Sequence, residues 1–239
     1  MVQRLASLGG GHEVLRRAAA RTLGELDAPA ATELLTEVMR LSVERWEPAM
    51  RVLPAFMRAL EDDSDVIPHL AQLRQVATLY QQEEVSIVFT EGAPVQEYER
   101  DAAARADSRL FTLPLGVLKS RARLTRNPDE LSRFAVASNA AVIREVLKNP
   151  RLTEELVVRI ASRRPARPEP LEEIWRSPRW NTQPAIRRAL VFNPYLPPEL
   201  GVKIVPTLAQ ADLRELARDM QVHVSLRELA GRLMTLTRR

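Results

Sequence analysis

Residues 141–160 read AVIREVLKNPRLTEELVVRI, and residues 185–204 read AIRRALVFNPYLPPELGVKI. Aligned without gaps at an offset of 44, nine of these twenty positions are identical, Asn149/Asn193, Pro150/Pro194, Leu152/Leu196 and Ile160/Ile204 among them. Unrelated segments of ordinary composition share roughly one or two. A third Asn-Pro pair, Asn127-Pro128, lies 22 residues before Asn149, so positions 127, 149 and 193 fall on a 22-residue grid with one occurrence missing. At the missing position, 165–171 (PARPEPL), the punctuation is proline-rich instead.

Each Asn-Pro pair reads as a corner between helices. Asparagine tolerates the left-handed conformation that ends helices. The residue before proline is disfavoured in the α region, so the helix stops there. A new helix start follows: Thr153 with Glu154 and Glu155 in the first turn, or Pro197-Pro198-Glu199. Leu152 and Leu196 are placed to anchor the turn. A unit of helix, corner and helix is too short to bury its own apolar face, so it must stack on its neighbours. The expected fold class is all-α, a right-handed stack of helix pairs (an α-solenoid) preceded by a helical bundle or degenerate repeats.

The 239-residue composition agrees. Only 8 glycines are present against 17 prolines, and aromatic residues make up 5%. Few glycines mean few tight hairpins, and prolines set between Ala/Leu/Arg-rich stretches punctuate helices. Hydrophobic residues at 45% and charged residues at 28% exclude a disordered chain or a fibre. There is no cysteine, which excludes disulfides, thiolate metal sites and cysteine nucleophiles. No apolar run approaches 18 residues and no signal-peptide pattern opens the chain, so the expectation is a cytoplasmic protein without a membrane partner.

Upstream of the repeats, residues 12–26 predict a helix with Leu15, Ala19 and Leu26 on its apolar stripe. Asp27 caps a second, with Pro29 in its first turn and Leu34, Leu35, Val38 and Leu41 inward. Pro48 opens a third, with Leu53, Phe56, Met57 and Leu60 on its face, ending at Glu61-Asp62-Asp63-Ser64. Ile67, Leu70, Leu73, Ala77 and Tyr80 mark a fourth. Residues 85–90 (VSIVFT) are strand-like in composition but have nothing to pair with, and read as a linker or a helix end. Gly9-Gly10-Gly11 reads as part of a flexible leader. The last helices carry Leu213 and Leu216, then Leu226, Leu229, Ala230, Leu233 and Leu236, and Arg238-Arg239 suit a helix C-terminus.

Charge is uneven. Residues 1–118 hold 12 basic and 18 acidic side chains, net −6, whereas residues 119–239 hold 23 and 13, net +10. The expected division is an acidic helical region at 1–90, a linker at 91–112 and a basic repeat domain at 113–239, with the two charged halves in contact.

Residues 114–236 resemble bacterial α-solenoid repeat proteins of the leucine-rich-repeat-variant and HEAT-like kind. The residues that carry the likeness are Asn149-Pro150-Arg151-Leu152-Thr153-Glu154, Ala189-Leu190-Val191-Phe192-Asn193-Pro194 and Asp212-Leu213-Arg214-Glu215-Leu216-Ala217. The resemblance implies a stacked-helix scaffold used for protein contacts, with no shared catalytic residues. The chain departs from the pattern at 165–171.

No catalytic motif emerges. His12, His69 and His223 have no partner at metal-ligand spacing, and no serine sits in G-x-S-x-G. An enzyme resembling the HEAT-like DNA glycosylases would pair aromatic residues with a carboxylate, but no Asp occurs between Asp129 and Asp212. No catalytic residue, metal ligand or cofactor is assigned. The candidate partner-binding residues are Arg163, Arg164, Arg167, Trp175, Arg179, Trp180, Arg187 and Arg188, because Arg and Trp dominate interface hot spots. The alternative for the same segment is a salt-bridged face with both indoles packed between repeats. The expected function is a non-enzymatic scaffold or adaptor for a protein partner, acidic by complementarity, with nucleic-acid binding by the basic half as the second reading.

Overall fold

The computed structural model describes residues 1–98, 113–137 and 139–236. These residues form fifteen α-helices and two short 3-10 turns, with no strand among them. Contacts divide the chain into two compact units. Unit 1 joins Met1–Gly92 to Pro198–Arg239, and unit 2 is Ala93–Pro197. The compact grouping therefore takes residues 198–239 away from the expected 113–239 domain and joins them to the N-terminal helices. The greater part of the expected linker, residues 99–112, lies outside the described residues, as do Arg238 and Arg239.

Unit 1 begins with α1 (Val2–Ala6), α2 (His12–Glu25), α3 (Ala28–Val43) and α4 (Glu47–Asp62). Asp27 caps α3 by accepting the Ala30 amide at 2.9 Å, and Pro29 occupies the first turn, where a missing N–H costs nothing. Of the apolar stripes read from the sequence, Leu15 and Ala19 of α2, Leu35 and Val38 of α3, and Leu53, Phe56, Met57 and Leu60 of α4 are buried; Leu26, Leu34 and Leu41 are only partly so, and Leu23 and Met39, outside the stripes read, are fully enclosed. Both α2 and α3 pack on α4. The segment before α2 is not a leader, because α1 packs on α4 and buries Val2 and Ala6. Gly10 makes the turn between α1 and α2 at φ 111°, where a side chain would strike Val14.

Next come α5 (Leu70–Leu79) and α6 (Glu83–Val88). Leu73 and Ala77 are buried, but Tyr80, expected on the same stripe, follows the last turn and is exposed. The strand-like run at 85–90 is largely helical, with Val85 and Val88 buried. Unit 1 closes with α13 (Pro198–Ile204), α14 (Gln210–Leu216) and α15 (Val224–Leu236). The α15 helix buries Leu226, Leu229, Ala230 and Leu233 and packs on α3, α6, α13 and α14. Arg232 of α15 forms an ion pair with Glu83 of α6, so the acidic and basic halves of the sequence do meet inside unit 1.

Unit 2 contains α7 (Leu115–Leu124), α8 (Pro128–Phe134), α9 (Ala140–Leu147), α10 (Glu154–Ser162), α11 (Pro168–Arg176) and α12 (Pro184–Val191). Alternate helices touch: α7 packs on α9, α9 on α11, and α10 on α12. The side-chain pattern explains this spacing. Each helix carries an apolar stripe, such as Val142, Ile143 and Val146 of α9 or Ile186, Leu190 and Val191 of α12, which is fully buried. No helix here exceeds ten residues, too short to be stable without such packing. The proline-rich stretch at 165–171 starts α11 at Pro168.

The Asn-Pro corners form by a different mechanism from the one expected. No asparagine has positive φ; among the described non-glycine residues only Arg45 and Gln81 do. Asn149 and Asn193 instead turn their side chains inward and are buried. The Asn149 amide donates to the carbonyls of Ala122 (2.9 Å) and Thr125 (3.0 Å) at the end of α7, and its oxygen accepts the Arg151 amide (2.8 Å). Asn193 repeats this with Ala161 (2.7 Å) and Arg163 (3.0 Å) at the end of α10 and with the Tyr195 amide (3.0 Å). The last carbonyls of a helix have no intrahelical partner, and burying them unpaired is costly. Each asparagine clasps the end of the helix two before it. Asn127 is exposed and serves only as the N-cap of α8, accepting the Asp129 amide at 2.9 Å.

Candidate partner-binding site

Charge follows the compact units. Unit 2 holds 19 basic and 12 acidic side chains, net +7, and unit 1 holds 16 and 19, net −3. The basic segment 163–188 lies wholly in unit 2. Its two tryptophans are not surface residues. Trp175 is 0% exposed, and Trp180 is 4% exposed with its indole N–H donating to the Leu147 carbonyl at 2.9 Å. Arg187 is also buried and donates to the Asn181 carbonyl. Burial lowers the pKa of its guanidinium to about 10, because removing the charge from water disfavours the protonated form. For the two indoles the packed alternative holds rather than the contact role, and Arg187 is likewise withdrawn from the surface: the indoles and the Arg187 stem fill the space between helices, where apolar area is worth more than on the surface.

The remaining candidates lie at or near the surface. Arg179 is exposed. Its guanidinium donates to the carbonyls of Asn149 (3.1 Å) and Leu152 (3.3 Å) and covers the Trp180 ring at 4.3 Å. Arg163 donates to the Val136 carbonyl, and Arg164 to the Phe192 carbonyl. Arg167 lies 5.4 Å from the Tyr98 ring centroid, and Arg188 lies 4.5 Å from that of Phe192. The partners of Arg163, Arg167 and Arg179 are neutral. A neutral acceptor fixes a guanidinium without cancelling its charge, so these cations are held in place and still generate a field. Ion pairs here include Arg144 with Glu173 and Arg176 with Glu172. The first raises the Arg144 pKa through its hydrogen bond to Glu173.

The sequence reading missed the cations that matter most to an approaching charge. Lys119, Arg123, Arg126, Arg133, Arg151 and Arg159 are exposed, and their side chains make no hydrogen bond or ion pair with the described residues. The signal was present: each occupies an outward helical position or a corner next to Asn-Pro. The density of the 163–188 cluster masked it.

Unit 1 has an open cleft of about 570 Å³ between α5, α6 and α15, lined by Thr78, Glu83, Ser86, Glu228 and Arg232. Its polar groups largely satisfy one another, through the Glu83–Arg232 pair and a 3.1 Å contact between the Thr78 and Ser86 hydroxyls. Glu84 is buried nearby, at the N-terminus of α6, where it accepts from the Thr36 hydroxyl at 3.1 Å. Among the described residues no group of three or more His, Asp or Glu side chains could hold a metal ion.

These features define an all-α protein with a cationic helical unit. None of its described helices is long and apolar enough to cross a membrane. No match to the chain is found among protein-family models, curated proteins or solved structures.

Proposed function

We propose that this chain is a non-enzymatic helical-repeat scaffold that binds an acidic protein partner through the surface of unit 2. On this reading, the alternate-helix packing of α7 to α12 is a right-handed stack of helix pairs, and the Asn149 and Asn193 clasps are its repeating element. The observation that carries the functional part is the set of exposed cations on this unit, Arg133, Arg151, Arg159, Arg164 and Arg179. A surface of exposed positive charge steers an acidic partner and disfavours basic ones.

Nucleic acid is the second reading, favoured by the +7 charge of unit 2. Against it, the two indoles that would serve as stacking platforms for bases are buried. The test compares the full chain with an Arg133→Glu/Arg151→Glu/Arg159→Glu variant. Cross-linked partners are identified from cells, purified and titrated against both proteins. The expected result is an acidic protein whose dissociation constant rises at least 10-fold for the variant. Equal binding by the variant, or salt-dependent binding of a 30-nucleotide single strand tighter than that of any protein, overturns the proposal.

A further inference from the structure

We infer that the first end of unit 2 is a docking site for an amphipathic helix of the protein partner, seated against α7 and carrying acidic side chains. The inference rests on the scaffold reading above and specifies how the partner is held.

Three independent observations converge on this end. The first is an apolar stripe that no described residue covers. Leu118 and Ala122 of α7 are buried toward α9, but Val117 and Leu124, with Leu113 just before the helix, form a second stripe about 130° around the helix, and Leu115 on its other side is exposed as well. Leu124 is 70% exposed, Val117 43% and Leu113 38%. Three apolar side chains on one face of α7, none covered by a described residue, make a packing face.

The second observation is Asn127. The two other Asn-Pro corners show what an asparagine in this position does. Asn149 and Asn193 each bury their side-chain amide against the last carbonyls of a helix. Asn127 has the same proline after it and the same cap oxygen bonded two residues on, yet its amide is exposed and donates to no described residue. It is a clasp with no helix end in it. A helix seated on the stripe would bring its terminal carbonyls to Asn127, as α7 brings Ala122 and Thr125 to Asn149.

The third is charge. Arg123 and Arg126 lie at the Leu124 end of the stripe beside Asn127, exposed and unpaired among the described residues, whereas Arg121, next to the stripe, is paired with Glu130 and Lys119 faces the other side of the helix. Arg123 and Arg126 complement both the negative end of a helix dipole and acidic side chains in its last turns. Together these select a helix with a narrow apolar stripe, free terminal carbonyls and Glu or Asp near its C-terminus.

The chain supplies its own probe. A helix-stapled, fluorescein-labelled peptide copies residues 113–126, with Lys119, Arg121, Arg123 and Arg126 changed to Glu. It reproduces the helix that seats Asn149 but with inverted charge. The full chain should bind it with a dissociation constant of tens of micromolar. Leu124→Asp should weaken binding at least 10-fold and Asn127→Ala about 3- to 10-fold. The unaltered peptide, which keeps its cations, should bind at least 10-fold more weakly than the inverted one. Absence of binding at 1 mM, or binding indifferent to both substitutions, overturns the inference. So does sedimentation showing a dimer of the chain that Leu124→Asp dissolves, which assigns the face to a second copy. A large drop in unfolding midpoint caused by Leu124→Asp also overturns it, because the chain would then be covering the stripe itself. If the peptide fails while the Arg133/Arg151/Arg159 variant still loses its partner, only this docking mode falls and the scaffold reading stands.

Discussion

The side-chain amide of Asn193 donates to the carbonyl of Ala161 at 2.7 Å, across 32 residues of sequence. That bond and its counterpart from Asn149 to Ala122 hold a corner and a distant helix end together in one contact. Substituting alanine leaves one buried and one part-buried carbonyl without this donor, in addition to the lost turn bond. Asn149→Ala and Asn193→Ala should each lower stability by about 2–3 kcal/mol. Asn127→Ala, which removes only an exposed cap, should cost about 1 kcal/mol or less. Urea unfolding followed by tryptophan fluorescence ranks the three, and two of the three tryptophans lie in unit 2. Equal effects at 127, 149 and 193 would contradict the clasp.

Trp180→Phe keeps most of the apolar volume but deletes the donor to the Leu147 carbonyl and reduces the surface under Arg179. The expected loss is about 2 kcal/mol, from the orphaned carbonyl and a small void. Arg179→Gln should cost less than Trp180→Phe, because Arg179 is exposed and water replaces its bonds. The reverse order in the same urea experiment would show that the guanidinium, not the indole, holds the corner.

Two helix glycines should respond with opposite signs. At Gly24 of α2 a methyl group would sit 2.3 Å from the Val66 backbone carbonyl oxygen, which cannot move aside cheaply. Gly24→Ala should destabilise by about 1–3 kcal/mol despite alanine's better helix propensity. At Gly231 of α15 nothing lies within 4 Å of the new methyl, so Gly231→Ala should stabilise by up to about 1 kcal/mol. Thermal midpoints of both variants give the signs directly.

Acid should weaken the fold through Glu13 and Glu37. The hydrogen bond from Arg16, aided by Arg17, holds the Glu13 carboxyl below its ordinary value of 4.5, and Arg40 does the same for Glu37. A carboxylate with a lowered native pKa adds stability above its unfolded value and loses it as pH falls through the native one. The wild type should therefore exceed a Glu13→Gln/Glu37→Gln variant at pH 6, and the gap should close toward pH 3. Both sites are half-exposed, so the gap should stay near or below about 1 kcal/mol. A gap that widens on acidification would refute this sign.

Helix content, most helix boundaries and the inward stripes were legible in the sequence, because proline punctuation and 3.6-residue periodicity are local properties. The Asp27 cap, the helix opened by Pro48 and the start of α10 at Thr153 need no partner beyond their own turn. The repetition between 141–160 and 185–204 also needed only the chain itself. What that repetition does physically was not legible. Asn-Pro suggests a left-handed cap by intrinsic preference, yet the side chain found a better use on carbonyls 24 to 32 residues away. Composition left Trp175 and Trp180 between a contact role and packing between repeats, and packing decided for the latter and enclosed Arg187 with them. The grouping of residues 198–239 with the first 92 was equally invisible. Helix propensity and capping act within a turn or two, so one sequence carries them. Which carbonyls are left unpaired, and which cations still face water, depends on what lies alongside in space, and that is decided only when the helices pack.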